Sequence, residues 1–219
     1  MKIIKPLICL SLLMTVLLTV ILFCGFDFNW YEKEFENSGV YESLDKALVL
    51  DQAQNLFDYF LWQEELNKSF YTQRELAHVF DIKNIITKVI IFDIIFMIIF
   101  IFSAGYLVIK KGIAQVLKLI NAIAVGGLVF YLITAAVSYI HFENLFILFH
   151  QIFFKNDFWQ LDPVTEKLIV IFPPELFLHL TQRIFIYLIF INFLFILFYK
   201  FFKSNLIKKT LNLDNKLKR

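Results

Sequence analysis

Four long apolar stretches divide this chain, with polar segments between them and a basic end after the last. Each stretch holds about 20 residues or more, enough for an α-helix to cross the hydrocarbon core of a bilayer. The pattern therefore predicts an all-α integral membrane protein with four transmembrane helices and a helical extracytoplasmic cap. In chain order the predicted parts are transmembrane helix 1 at 1–26, an extracytoplasmic helical segment at 27–83, transmembrane helix 2 at 84–109, a cytoplasmic loop at 110–115, transmembrane helix 3 at 116–140, an extracytoplasmic loop at 141–179, transmembrane helix 4 at 180–202 and a basic cytoplasmic tail at 203–219.

The composition agrees with a membrane location. Hydrophobic residues make up 59% of the chain, and 28 residues are Phe. Soluble domains hold about 45–50% apolar residues, so a water-soluble fold of this size could not bury so much apolar surface. Both cysteines, Cys9 and Cys24, lie in the first apolar stretch, which argues against a disulfide framework or a cysteine metal cluster.

The first apolar stretch has two interpretations. Lys2 and Lys5 precede it, as basic residues precede the apolar core of a cleaved signal peptide. No small-x-small cleavage site follows, however. The residues before Cys24 are faintly similar to a lipoprotein box, but Phe23 is too large for the position before the cysteine. The sequence therefore favours an uncleaved membrane anchor.

The polar segment 27–83 is acidic, with twelve acidic residues against five basic ones. Within it, apolar residues of 43–66 recur at spacings of three and four, which predicts an amphipathic helix on the membrane surface or over a cavity. Tyr59 and Trp62 suit a position at the membrane–water boundary.

Two local patterns predict how the second and third spans are built. Thr72 and Glu75 match a capping box, so a helix is expected to begin near Gln73 and to run into the second span. The pairs Gly126–Gly127 and Ala135–Ala136 in the third span are small enough to let another helix approach closely.

Basic residues predict the orientation in the membrane. Lys and Arg accumulate in cytoplasmic loops, so the side that carries most of them is expected to be cytoplasmic. With four spans, both termini then lie inside the cell, and segments 27–83 and 141–179 share the outer face. The basic residues on the predicted inner side are Lys2, Lys5, Lys110, Lys111, Lys118, Lys200, Lys203, Lys208, Lys209, Lys216, Lys218 and Arg219.

The candidate chemistry centres on the stretch 150–163, HQIFFKNDFWQLDP. It combines His150 with carboxylates, an amide and several aromatic rings, which suits a site at the membrane–water boundary, where rings seat acyl chains and polar groups move protons. The simpler interpretation of His150 is an interfacial histidine at a helix end. Asp162 before Pro163 is typical of a helix N-cap, whereas Asp157 has no such structural explanation.

His78 is the second candidate. On a helix that begins near Gln73, Arg74 and Asp81 share a face with it, and Glu75 lies three residues before it. A carboxylate at that spacing could fix the tautomer of the imidazole and raise its basicity. The simpler interpretation is a surface helix with ordinary solvated charges.

Three segments of the chain resemble the four-span bacterial lipoprotein intramolecular transacylases. They are RELAHVFDIKNI at 74–85, FHQIFFKNDFWQLDP at 149–163 and KLIVIFPPELF at 167–177. Length, number of spans and two outer loops match over nearly the whole chain, and the two histidine motifs are specific together. Two departures are Glu166, where the family pattern has Asp, and the pair Pro173–Pro174.

The resemblance implies a reaction on diacylglyceryl-modified bacterial lipoproteins. The sn-2 acyl chain moves to the α-amino group of the same cysteine and leaves a lyso-lipoprotein. The implied partners are these lipoproteins and membrane lipid, with no nucleic acid, metal, ATP or other cofactor, and the implied location is the bacterial cell membrane. The α-amine has a pKa near 7.7–8 and must lose a proton to attack, for which a neutral histidine is suited.

This chemistry assigns the residues to roles. We expect His150 to be the general base and His78 its acid partner or an oxyanion donor, with exchangeable roles. The substrate brings its own nucleophile, so no serine or cysteine nucleophile is required. The expected supporting residues are Arg74, Glu75, Asp81 and Asp157, and the expected substrate-binding residues are Phe154, Asn156 and Trp159.

Two alternatives remain open from the sequence. A membrane adaptor that binds lipids or lipoproteins without chemistry would need no facing histidines. A haem or metal protein could use His78 and His150 as ligands, although no surrounding pattern indicates such a site. Facing histidines in one cleft would favour the enzyme.

Overall fold

The chain is all-α in the computed structural model, which describes residues 3–217, with side chains described up to residue 205. No strand occurs among the residues it describes. Predictions that concern Lys2 and the basic side chains from Lys208 onward lie outside the described residues. The helices are α1 (Ile4–Gly25), α2 (Phe28–Asn37), α3 (Val40–Ser43), α4 (Lys46–Phe60), α5 (Gln73–Lys111), α6 (Ile113–Ile140), α7 (Phe142–Phe153), α8 (Lys167–Ile171) and α9 (Pro174–Leu217).

Four of these helices are long and apolar enough to cross a membrane, which confirms the predicted fold class. They are α1, α5, α6 and the part of α9 at Pro174–Asn205. Helices α5, α6 and α9 begin before the spans predicted for them, because a helix continues through polar residues where its backbone hydrogen bonds can continue, whereas α1 lies within its predicted bounds. The connection between α5 and α6 is Gly112 alone, whose φ of +81° is accessible to glycine at little cost.

The chain forms two compact units. Unit 1 takes the described parts of Met1–Leu17, Asp93–Thr134 and Phe185–Arg219, and unit 2 takes Leu18–Phe92 and Ala135–Ile184. Both candidate histidines therefore belong to unit 2.

The core of unit 2 packs the short helices of the polar segments together. Buried residues of α2, α4 and α8, including Phe35, Phe57 and Ile171, form one cluster that also holds Val79 of α5. Edge-to-face rings strengthen it, with the Tyr31 and Phe57 centroids 4.9 Å apart. The start of α5 is thereby packed against the helices around it.

Helix α4 is the amphipathic helix that the spacing in 43–66 predicts, but it is shorter. It begins after Asp45, whose side chain accepts a hydrogen bond from the Leu48 N–H at 3.0 Å, as an N-cap does. Val49, Ala53 and Leu56 are buried along one face. Helices α2 and α3 were not predicted individually, because helices of ten and four residues have too few turns for an apolar period to stand out in the sequence.

Within unit 1, one glycine permits a close helix contact. A Cβ on Gly127 would lie 2.8 Å from Oδ1 of Asn192, whereas a Cβ on Gly126 would meet nothing within 4 Å. Asn192 is buried and donates its Nδ2 to the Leu188 carbonyl at 2.7 Å. The expectation of close approach thus holds for Gly127 and not for Gly126.

Candidate active site

A capping box sets the start of α5 and with it the place of His78. The Thr72 N–H donates to Oε2 of Glu75 at 2.6 Å, and the Glu75 N–H donates to Oγ1 of Thr72 at 3.2 Å. These reciprocal bonds satisfy two N–H groups that the first helical turn leaves without a partner, which confirms the predicted cap. His78 follows one turn later and is buried, at 5% exposed.

The second oxygen of Glu75 joins α5 to a distant segment. Oε1 accepts the N–H of Leu168 in α8 at 2.6 Å, and the Glu75 side chain is fully buried. Both oxygens therefore accept backbone N–H groups, so the expectation that Glu75 orients the His78 ring is not supported. Glu75 instead fixes the helix start that carries His78.

Glu166 extends this connection and was not among the expected site residues. It is buried, accepts the Asp162 N–H at 2.7 Å and lies 3.4 Å from the hydroxyl of Thr72. Asp162 itself accepts the Val164 N–H with its side chain at 2.9 Å, in keeping with its structural interpretation. No sequence signal indicates that Glu166 meets Thr72, because that contact depends on how the two segments pack.

His150 lies in the last turn of α7 and is also buried. Its Nδ1 lies 2.7 Å from the carbonyl oxygen of Phe146, four residues earlier. A carbonyl can only accept, so Nδ1 carries the proton and, in the neutral ring, Nε2 keeps a lone pair. Phe146 was not predicted as a site residue, although its spacing of four on a helix could have indicated it.

Burial governs the protonation of His150. Loss of water around the ring lowers the pKa of His150 below its ordinary value of 6.5, and the hydrogen bond to the Phe146 carbonyl opposes this in part. The imidazole is therefore neutral at neutral pH and able to accept a proton.

The two histidines meet in unit 2. The ring centroids of His78 and His150 are 6.1 Å apart, with 36° between the ring planes. Phe154 contacts both rings, at 4.9 Å from His78 and 5.4 Å from His150. Trp159 stacks on His150 at 4.8 Å. The structure thus brings together four of the predicted residues.

Polar contacts hold the loop that carries Trp159 against α5. Nδ2 of Asn156 donates to Oδ2 of Asp81 at 2.8 Å, and Oδ1 of Asn156 accepts the Phe158 N–H at 3.1 Å. Arg74 donates from a guanidinium nitrogen to the carbonyl oxygen of Asp157 at 2.6 Å. Asp81 and Arg74 therefore bind the loop, and the contact at Asp157 is through its backbone.

One nitrogen of His78 has unmet hydrogen-bonding capacity. Its Nδ1 is buried and has no hydrogen-bond partner within the part of the chain that the structure describes. Buried polar atoms are normally paired, and unpaired ones concentrate where a ligand completes the set. His78 is therefore suited to bind a polar atom of a substrate.

The other two histidines lie elsewhere. His179 contacts the buried carboxylate of Glu34 through Nδ1, and Arg183 forms an ion pair with Asp27. These contacts connect the start of α9 to α2. His141 is exposed at the N-cap of α7. Among the described residues, no group of three or more His, Cys, Asp or Glu side chains could hold a metal ion.

Comparison with solved structures shows the fold. The chain is similar to the membrane integral lipoprotein intramolecular transacylase Lit from Bacillus cereus, with a TM-score of 0.80 and 21% identity over 96% of this chain and 97% of that one. It is also similar to a variant of that protein with one histidine changed to arginine, with a TM-score of 0.78 and 19% identity over 95% of this chain and 94% of that one. No curated protein matches the chain.

A family model supplies the assignment. The model for the lipoprotein intramolecular transacylase Lit matches residues 6–178, which include both histidines and the loop between α7 and α8. The chain therefore belongs to the lipoprotein intramolecular transacylase Lit family.

Proposed function

We propose that this membrane protein moves the sn-2 acyl chain of a diacylglyceryl-cysteine lipoprotein to the α-amino group of the same cysteine. The observation that carries the proposal is the approach of the two imidazoles, with ring centroids 6.1 Å apart, in a protein of the Lit family. The product is a lyso-lipoprotein with one chain on nitrogen and one on glycerol.

His150 is the general base in this proposal. Its Nδ1 proton is engaged by the Phe146 carbonyl, which leaves Nε2 to take the proton of the substrate amine. The amine nitrogen bonds to the ester carbonyl carbon, and His150 becomes an imidazolium. When the bond to the glycerol oxygen breaks, the imidazolium returns the proton to that oxygen, so the proton balance closes.

His78 stabilises the oxygen on which negative charge develops. A neutral imidazole still carries one N–H, and the ring is buried beside His150 with Nδ1 lacking a protein partner in the described chain. A donor that is already in place and shielded from water stabilises an oxyanion more strongly than water does. The roles of the two histidines are exchangeable in this scheme.

The aromatic and polar residues around the histidines position the substrate. Phe154 and Trp159 form the wall beside His150, and their apolar rings suit acyl chains. Asn156 with Asp81, and Arg74 with the backbone of Asp157, hold that wall in place. Glu75 positions His78 indirectly, because its hydrogen bonds hold the start of α5 in place.

The proposal is tested in a bacterial host that makes only diacylated lipoproteins. Expression of the chain should block the lipoprotein N-terminus with an acyl group and leave one chain on glycerol, with the total acyl count unchanged by mass spectrometry of the N-terminal lipopeptide. His150→Ala and His78→Ala should each lower conversion by about 100-fold or more, as loss of acid–base or oxyanion assistance does.

The exposed His141→Ala is the matched control and should convert normally. Conversion that persists in both His150→Ala and His78→Ala would exclude the assigned roles. Lipoprotein that co-purifies with the wild type but is never converted would instead support an adaptor.

A further inference from the structure

Helix α7 is too short to cross a membrane, yet it exposes large apolar side chains. Its 12 residues rise about 18 Å, against about 30 Å for the hydrocarbon core. Ile152 is 67% exposed and Phe153 53% exposed, whereas His150 in the same helical turn is buried. Apolar side chains outside and a histidine inside reverse the usual arrangement in water.

The exposed residues of α7 form two faces. Leu148 and Ile152 are four residues apart, as are Phe149 and Phe153, so all four lie on one apolar side of the helix. Glu143 and Gln151 are exposed on the opposite side, which also includes Ile147, whereas Asn144, four residues before Leu148, lies at the edge of the apolar side. His150 lies on the side of the helix that packs against His78 and Trp159. Such division is typical of a helix that lies in the plane of a membrane surface.

The apolar face continues from a candidate transmembrane helix. Helix α6 ends at Ile140, and only His141 separates it from α7. Tyr139 and Ile140, which belong to the same unit as α7, are 66% and 70% exposed. The chain therefore enters α7 directly at the end of a candidate transmembrane helix, with His141 as the single residue between them.

We propose that α7 lies in the membrane interface, with Leu148, Phe149, Ile152 and Phe153 among the acyl chains of the leaflet beside the candidate active site. Glu143 and Gln151 face water. An apolar face of this size buries about 5–10 Å into the boundary between headgroups and acyl chains.

This position has a consequence that rests on the proposed function. His150 then lies at the depth of the ester groups of lipids, where water is scarcer than in the aqueous phase. Because water is scarce there, hydrolysis of the acyl ester is disfavoured, and the substrate amine outcompetes water as the nucleophile.

The first test measures depth with nitroxide labels on the full chain. Leu148→Cys, Ile152→Cys, Glu143→Cys and Gln151→Cys are prepared with Cys9 and Cys24 replaced by alanine, and reconstituted in phosphatidylethanolamine–phosphatidylglycerol nanodiscs. The ratio of oxygen to nickel-chelate accessibility should be at least about threefold higher at 148 and 152 than at 143 and 151.

Two results of this test overturn the proposal. Ready access of the nickel chelate to labels at 148 and 152 would place the apolar face in water. Protection from both reagents with spin–spin broadening would show that a second copy of the chain covers the face.

A second test needs no substitution. Wild-type protein in the same nanodiscs is irradiated with a phospholipid that carries a diazirine in its acyl chain, and labelled peptides are identified by mass spectrometry. Peptides that contain residues 147–153 should be labelled, whereas those of α4 should not. An unlabelled α7 peptide overturns the proposal, and either result is independent of whether acyl transfer occurs.

Discussion

Three neighbouring residues set the protonation state of His150. Phe146 takes the Nδ1 proton into a hydrogen bond, and the rings of Phe154 and Trp159 replace water beside the imidazole. Burial disfavours the charged form, so the pKa of His150 lies below its ordinary value of 6.5. A base that is neutral at neutral pH is available to the substrate amine.

The pH dependence of transfer follows from this shift. Transfer requires a neutral His150 and a neutral substrate amine, whose pKa is about 7.7–8.0. The logarithm of the rate should fall by about one per pH unit below that value, and by about two below the pKa of His150. Because that pKa is lowered, the second break should lie below pH 6.5, measured as initial rates in nanodiscs.

Trp159→Ala provides the comparison for the pH profile. Removal of the stacked ring admits water to His150, so the second break should move upward toward 6.5. A wild-type break above 6.5 would contradict the assignment of a buried neutral base.

Glu75 accepts two backbone hydrogen bonds with its carboxylate, and a neutral amide has only one oxygen with which to accept them. Both of its oxygens accept backbone N–H groups at 2.6 Å, and one of these belongs to Leu168 in α8. Glu75→Gln replaces one acceptor oxygen with a donor NH₂ group that faces a backbone N–H. We expect the free energy of unfolding to fall by about 1–3 kcal/mol, measured by thermal unfolding in detergent.

The exposed Glu64→Gln is the control for the charge change and should unfold at the wild-type temperature. If Glu75→Gln is as stable as the wild type, the two short hydrogen bonds from backbone N–H groups to Glu75 do not hold the start of α5.

At the scale of helices, α5 and α7 each contribute one histidine. The start of α5 could be predicted because a capping box is a pattern within four residues, and the contacts of Thr72 with Glu75 confirm it. The partner of Glu75 in α8 could not be predicted, because no local pattern reports which distant N–H group packs against a side chain. The same limit applies to Asn156 and Asp81.

Helix packing in unit 1 gives a prediction with an internal control. Gly127→Ala places a methyl group 2.8 Å from Oδ1 of Asn192, and the hydrogen bond to the Leu188 carbonyl holds that side chain in place. We expect a loss of about 1–3 kcal/mol of stability, measured by unfolding in detergent.

Gly126→Ala meets nothing within 4 Å and should be neutral or stabilising by up to about 1 kcal/mol, since alanine favours a helix. Equal destabilisation by both substitutions would show that helix backbone flexibility, and not the contact with Asn192, is what matters.

At the scale of the whole molecule, the orientation in the membrane is a proposal that rests on the distribution of basic residues. We expect Glu64→Cys, on the side of the candidate active site, to react with a membrane-impermeant maleimide in intact cells. Lys111→Cys and Ser204→Cys should react only after the cells are permeabilised.

The native Cys9 and Cys24 are replaced by alanine in this experiment, and a cytoplasmic and a secreted reporter protein with single cysteines calibrate the labelling. Reaction of Ser204→Cys in intact cells would reverse the proposed topology.

The sequence by itself determined the class of this protein. Apolar stretches long enough to cross a bilayer, the capping box before α5 and the amphipathic period of α4 are local patterns, and the structure has all of them. Only the tertiary structure decided that His78 lies beside His150, that Glu75 binds α8 and that Asp81 holds Asn156. These contacts join segments far apart in the chain, so they depend on how the helices pack and not on the preferences of neighbouring residues.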